Sequence, residues 1–146
     1  VDEFLSQNPN AYVDIAARLP EIGRHAPERV RAVFTKHQRR ILFGTDLGYH
    51  GNSIMLGSVG NERPLLIDIF LFYGVHRQWL EGHDRQIAHP TPIQGSWRID
   101  SIGLTPSVLE QIYFRNAAQL FWGDPNPKPG DLDALETAPG FVEYFQ

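Results

Sequence analysis

Residues 40–51 read RILFGTDLGYHG, and this stretch decides the fold class. Residues 41–45 are apolar or β-branched apart from one glycine, which predicts a strand, and the acidic Asp46 follows directly. A helix pattern precedes this strand at residues 27–38, and a strand pattern precedes the helix at residues 11–16. A crossover of this length joins parallel strands. The sequence therefore predicts an α/β fold with Asp46 at the carboxyl end of a buried strand, where such folds place functional groups.

The rest of the chain is predicted to be helix and loop. A polar, glycine-rich loop is expected over residues 47–63, and helices are expected over residues 64–82 and 105–122, each with a proline at its start. Residues 83–104 show little periodicity and are predicted to be a loop. Because parallel strands are normally buried on both faces, two of them do not make a stable sheet alone. We therefore expect the chain to be the closing portion of a larger α/β fold.

Composition limits the partners. The chain has 146 residues, with 13 Lys and Arg against 17 Asp and Glu, and a formal net charge of −4. Because phosphate binding needs a basic surface, this mild acidity argues against nucleic acid and anionic lipid as partners. The longest apolar run, residues 65–75, is too short to span a bilayer. We expect a cytoplasmic protein, and these features are compatible with a homo-oligomer.

The chain contains no cysteine. Disulfides, thiolate metal sites and cysteine nucleophiles are therefore excluded, and any metal ion would be held by His, Asp or Glu. The histidines lack a spacing typical of metal ligands, such as two histidines four residues apart on one helix. His76 and His83 are therefore predicted to be structural or exposed.

Three stretches together resemble the amidohydrolase-related family of metal-dependent hydrolases. They are NAYVDIAAR (10–18), ILFGTD (41–46) and IYFRNAAQL (112–120). Members of this family fold as TIM-like (β/α)₈ barrels. The resemblance implies that residues 1–122 are the C-terminal part of such a barrel, incomplete in this chain, and that residues 123–146 are a Pro/Gly-rich extension.

The resemblance also implies a function. In the family, the aspartate after the eighth strand binds the catalytic metal, usually zinc, and orients or deprotonates the attacking water. Asp46 matches this residue, and the implied reaction is hydrolysis of a small-molecule substrate at a C–N or C–O carbonyl. Some members decarboxylate instead. The family's histidine ligands on earlier strands have no counterpart here, so the resemblance implies that this chain is inactive by itself.

Three further residues are candidates for substrate binding. Arg18 follows the first strand at its carboxyl end, where it would clamp a substrate carboxylate or form a surface salt bridge. His50 lies in the glycine-rich loop, as a substrate contact, a second ligand or a surface histidine. His89 is either structural or exposed, like His76 and His83, or it lines the pocket mouth. In addition, the resemblance suggests that Asn116 pins the loop after the last strand, the alternative being an exposed helix position.

Two alternatives to the hydrolase hypothesis remain open at this level. The chain is a non-catalytic interaction module, whose open sheet edge pairs with another subunit. Alternatively, it belongs to another barrel enzyme, such as a glycosidase with Asp46 as one of two carboxylates, although no second acid stands out in the sequence. In the hydrolase hypothesis Asp46 is the functional carboxylate. The alternative is that Asp46 has no catalytic role and is a solvated acid in a loop.

Overall fold

The computed structural model describes residues 1–50, 53–57, 64–91 and 95–127. The helical segments are α1 (Asp2–Gln7), α2 (Leu19–Ile22), α3 (Pro27–Lys36), α4 (Leu66–Glu81), α5 (Pro106–Glu110), a π-helical turn (Gln111–Arg115) and α6 (Asn116–Trp122). The strands are β1 (Val13–Asp14), β2 (Ile41–Leu42), β3 (Leu47–His50), β4 (Ser53–Leu56), β5 (Ile87–Ala88) and β6 (Arg98–Ile99). The described residues thus mix helix with three two-stranded sheets, and they do not close a barrel.

The predicted strand–helix–strand unit is present. β1 and β2 pair in parallel, with Val13 opposite Ile41 and Asp14 opposite Leu42, and α3 forms the crossover between them. Both strands are shorter than the predictions for residues 11–16 and 41–45. Their flanking residues stay close, since the amide of Ile15 still donates to the carbonyl of Leu42. The strands are short because, among the described residues, each has a single neighbouring strand.

Two predicted loops contain paired strands, which corrects the sequence analysis. β3 and β4 form an antiparallel hairpin inside the predicted loop 47–63, with Leu47 opposite Leu56. β5 and β6 pair inside the predicted loop 83–104, with Ile87 opposite Ile99. In both cases backbone pairing prevails over a glycine-rich or aperiodic sequence. The remaining residues of the first loop, 51–52 and 58–63, lie outside the described ranges.

The core lies between β2, α4 and the helix at the end of the described chain. Its fully buried large side chains come from every part of the chain, as Leu5, Ile15, Leu19, Ile41, Trp79, Leu80, Ile99, Ile102 and Ile112. The rings of Phe34 and Trp79 meet edge to face, 5.9 Å apart between centroids. α5, the π-helical turn and α6 run without a break from Pro106 to Trp122, as predicted.

None of the helices in the described ranges has the length and apolarity that crossing a membrane requires. Of the predicted C-terminal extension, residues 123–127 are described, and residues 128–146 lie outside the described part of the chain.

Candidate functional site

Asp46 stands where the chain leaves β2 and enters the β3–β4 hairpin. Asp46 is exposed to solvent, and its backbone is in the left-handed region, with a φ of 60°. Few residues other than glycine adopt this conformation, and aspartate is one that tolerates it. The carbonyl of Asp46 accepts a hydrogen bond of 3.0 Å from the amide of Gly57, which closes the base of the hairpin. The direction of this residue is therefore set by the hairpin as well as by β2.

The segment between β2 and Asp46 is held by the helices beside it. The amide of Phe43 donates to the carbonyl of Ile112 in the π-helical turn, over 3.0 Å. The ring of Phe43 meets that of Tyr113 edge to face, 5.0 Å away. Thr45 is buried and its hydroxyl donates to the hydroxyl of Tyr73 over 3.3 Å. Single π-helical turns occur often at functional sites, and this one supplies the carbonyl that anchors the strand.

Asn116 anchors the other end of the same strand. It is buried, and its side-chain amide donates to the carbonyls of Gln38 and Ile41, each over 2.7 Å. The expected hydrogen bonding of this amide is confirmed. The expected target was wrong, because Asn116 pins the entry to β2 and the preceding turn rather than the loop after the last strand. The alternative of an exposed helix position was wrong as well.

The neighbouring strand tip repeats the backbone feature seen at Asp46. Ala17, three residues after β1, has a φ of 54°, which is uncommon for alanine. Gly44 and Ala16 touch across the two tips, since a Cβ at Gly44 would lie 3.1 Å from the Cβ of Ala16. Two left-handed non-glycine residues thus lie at the carboxyl edge of the one parallel sheet in the described chain. Such strain, of order 1 kcal/mol or more per residue, is concentrated at functional sites in proteins.

Arg18 lines a cavity next to β1. The cavity has a volume of about 600 Å³, and its polar rim includes Asp14, Arg18, Glu21 and Arg29. Asp14 is exposed, and its carboxylate accepts a hydrogen bond of 2.9 Å from the amide of Ala16. Among the described residues that line this cavity, neither Asp46 nor His89 is present. The structure therefore does not bring Arg18 into one cavity with the other predicted site residues.

His89 is a buried histidine whose hydrogen bonding is incomplete. It is 6% exposed, and neither ring nitrogen makes a hydrogen bond of good geometry to another described residue. Its ring lies 4.9 Å from that of Trp97, whose indole N–H donates to the carbonyl of Pro20. Burial lowers the pKa of His89, against the opposing effects of weak backbone hydrogen bonds with Gly95 and Thr91 and of the Glu21 carboxylate. Buried polar groups are nearly always satisfied, so a histidine of this kind is a functional candidate.

Glu21 is a residue that the sequence analysis missed. Its carboxylate oxygen Oε2 is buried, again without a hydrogen-bond partner in the described ranges, and it acts electrostatically on His89. The guanidinium of Arg24, one helical turn along, lies 4.6 Å from the ring centroid of Trp97. No motif marks Glu21, because its importance comes from burial beside a residue far away in the sequence.

Contacts at Gly57 connect the surroundings of Asp46 and His89. Gly57 donates its amide to Asp46, and a Cβ on it would lie 2.6 Å from the methyl group of Thr91. Since Thr91 is two residues after His89, the base of the hairpin packs on the segment that carries this histidine. The backbone of His50 pairs with Ser53 in the hairpin, and its side chain lies outside the described part.

The other predicted histidines have structural positions. His76 is buried, its Nδ1 lies 2.8 Å from the carbonyl of Phe72, and burial lowers its pKa. His83 is exposed. Both fit the prediction of a structural or exposed role.

The described His, Asp and Glu side chains determine whether this part of the chain can hold a metal ion. In the described ranges, no three His, Asp or Glu side chains come together closely enough to hold one. Asp46 supplies one carboxylate, whereas a catalytic zinc site needs three protein ligands. The described residues by themselves therefore do not make up a complete metal centre.

Comparison with protein-family models, curated proteins and solved structures finds no match to this chain. The resemblance to the amidohydrolase-related family therefore rests on the three sequence stretches 10–18, 41–46 and 112–120 alone. The family, the metal and the substrate class stay predictions.

Proposed function

We propose that this chain is the C-terminal part of a metal-dependent hydrolase of the amidohydrolase-related type, and that it contributes the carboxylate of Asp46 to the active face. The observation that carries the proposal is the position of Asp46. It is an exposed acid with a left-handed backbone, at the carboxyl end of a parallel strand. Strand tips of this kind present catalytic groups in α/β barrels.

The surroundings of Asp46 favour a functional carboxylate over a plain loop acid. β2 is held by β1 on one side, and by Asn116 and the carbonyl of Ile112 on the other. A carboxylate on such a rigid support keeps a fixed direction, as a group that positions an attacking water must. Asp46 would orient that water and accept its proton during attack on a C–N or C–O carbonyl.

In this proposal Asp46 is one of several ligands of the metal ion and does not bind it alone. A bound divalent ion, with zinc expected, lowers the pKa of water and polarises a carbonyl. Because the described residues lack a full ligand set, its other ligands would come from residues outside those described here. Decarboxylation, the alternative within the same family, would use the same carboxylate. Identification of the product distinguishes it from hydrolysis.

The test replaces Asp46 by asparagine in the protein translated from the complete reading frame that encodes this chain. Asparagine tolerates the left-handed backbone as well as aspartate does, so the change removes the charge with little added strain. We expect zinc affinity to fall by at least about 100-fold, the upper end of the loss caused by removing only a ligand's supporting partner. Zinc bound after dialysis, measured by mass spectrometry, is the readout.

Asp14→Asn is the matched control. Asp14 is also exposed, lies on the adjacent strand, and its replacement removes the same charge. The control is expected to leave the zinc content unchanged. Full zinc occupancy in the Asp46→Asn protein would contradict the proposal, and so would a wild-type protein that binds no divalent metal.

The cavity beside β1 favours one second candidate, a non-catalytic interaction module. Its walls are largely apolar and include Val13, Ile15 and Val33, and among the described strands β1 pairs with β2 alone. A module would stay folded and monodisperse as the 146-residue chain without metal, and Asp46→Asn would not affect it. A barrel fragment is expected to aggregate through its open edge. Light scattering of the purified 146-residue chain separates the two.

A further inference from the structure

The outward face of α4 carries an unusual apolar surface, which is unrelated to Asp46. Leu66, Ile67, Phe70 and Leu71 are each between 58% and 72% exposed. Their spacing of i, i+1, i+4 and i+5 places them side by side on one face of the helix. We call these four residues the α4 stripe. The opposite face packs into the core through Phe72, His76, Trp79 and Leu80.

The same outward face turns polar towards the end of the helix. Arg77 and Gln78 are exposed there, and Arg77 pairs with Glu81 over 3.0 Å. Among the described residues of the first two turns of α4, the one charged side chain is Asp68, whose carboxylate accepts a hydrogen bond of 2.7 Å from the amide of Leu65. Within the described part of α4, the stripe therefore offers no free charge to a polar partner. Further along the same helix face, the exposed residues Arg77 and Gln78 are polar, as is usual for a surface that contacts water.

Gly74 forms a notch beside the stripe. It lies four residues after Phe70 on the same face, and nothing in the described structure comes within 4 Å of the place where its Cβ would be. Glycine inside a helix is unfavourable relative to alanine. No contact within the described chain explains its presence, whereas close approach of another helix would, because the interaxial distance depends on the side chains at the contact.

We propose that the α4 stripe is the interface of a homodimer, formed by two α4 helices packed antiparallel about a two-fold axis near Phe70. Leu66 and Gly74 lie at equal distances along the helix from Phe70. The two-fold axis therefore seats Leu66 of each copy over Gly74 of the other. A self-complementary surface is what a symmetric dimer requires. Leu65, directly before the α4 stripe, is 68% exposed as well, so five apolar side chains adjoin on the surface that the dimer would bury.

A membrane surface is the less suitable occupant. Helices that lie on membranes carry several Lys or Arg residues on their polar face. α4 has a single such residue, Arg77, and it is engaged with Glu81. The net charge of −4 also opposes binding to anionic lipid.

The experiment measures the molar mass of the protein from the complete reading frame, by size-exclusion chromatography with light scattering over a range of concentrations. The wild type is expected to be a dimer. Phe70→Glu should weaken the dimer by at least about 30-fold, the effect of losing a central aromatic residue of an interface. Gly74→Leu should also weaken it, although it adds apolar surface. Non-specific hydrophobic association would instead become stronger in Gly74→Leu, so this variant distinguishes it from the specific pairing.

Phe121→Glu is the matched control. Phe121 is 71% exposed, as against 72% for Phe70, and lies on α6. The control should leave the dimer unchanged, and circular dichroism should report the same helix content in all variants. The proposal is overturned by a monomeric wild type, as expected if another part of the protein covers the stripe. It is also overturned by a dimer that Phe70→Glu does not weaken, or by stronger association in Gly74→Leu. Binding of a stripe-bearing monomer to lipid vesicles would likewise overturn it, in favour of a membrane surface.

Discussion

The two halves of α4 belong to one helix, but their composition and surroundings differ. At the C-terminal half, Trp79 and Leu80 are fully buried, and Trp79 meets Phe34 edge to face. At the N-terminal half, Leu66 and Phe70 remain largely exposed. The difference teaches that apolar spacing predicts the helix but does not by itself identify which turns find a partner within the chain.

The buried half ends in carbonyls that another segment of the chain satisfies. The carbonyls of Trp79 and Leu80 accept hydrogen bonds from Ile102 and Leu104, over 2.7 and 2.8 Å. The segment that follows β6 therefore caps α4 and covers its apolar side chains together. Packing and hydrogen bonding support each other there, whereas in the α4 stripe apolar surface faces water.

The largest expected effect separates these two halves directly. Trp79→Ala should lower the free energy of unfolding by about 3–5 kcal/mol, because it empties a fully buried site. Phe70→Ala should change it by less than about 0.5 kcal/mol at concentrations where the protein is monomeric. Urea denaturation curves give both values. Equal losses in the two variants would show that Phe70 packs within the monomer, and the comparison would fail.

A smaller effect is expected where β2 meets α6. Asn116→Ala removes the donor that serves the carbonyls of Gln38 and Ile41, and should cost about 2 kcal/mol of unfolding free energy. Gln119→Ala is the control, because Gln119 is exposed on the same helix. Its expected change is below about 0.5 kcal/mol. A small loss in Asn116→Ala would show that water satisfies these carbonyls, and that β2 is held less firmly than its geometry indicates.

The elements that the sequence predicts well are those with a local signal. Prolines at helix starts and apolar spacing locate α3, α4 and the helix from Pro106 to Trp122. The parallel pairing follows from the strand–helix–strand order. The place of Asp46 at the strand tip follows from an acid directly after an apolar run.

The missed features depend on contacts between distant parts of the chain. The left-handed backbone of Asp46 depends on closure of the hairpin at Gly57, and the hairpin itself is hidden among glycines. Asn116 finds its carbonyls 75 and 78 residues away. Glu21 and His89 become notable only because folding buries both without satisfying them. No spacing rule reports such a coincidence.

Replacement of His89 gives the smallest expected change in unfolding free energy. It tests whether the buried ring nitrogens of His89 destabilise the fold. His89→Phe keeps an aromatic ring against Trp97 and removes two buried nitrogens that make no hydrogen bond of good geometry in the described chain. The unfolding free energy should rise by about 1 kcal/mol, because a buried polar group without partners costs about that much.

The pH dependence sharpens the same test. Burial lowers the pKa of His89 below its ordinary value of 6.5, so the unfolded chain takes up this proton first as the pH falls. Stability from the neutral ring is therefore complete above about pH 6.5 and declines as the pH falls towards the folded-state value. His89→Phe should remove this part of the decline and leave the part due to His76, whose pKa burial also lowers. A variant that is less stable than the wild type would mean that the ring nitrogens hold a partner, such as a buried water. His89 would then be a satisfied structural residue and no longer a candidate for substrate binding.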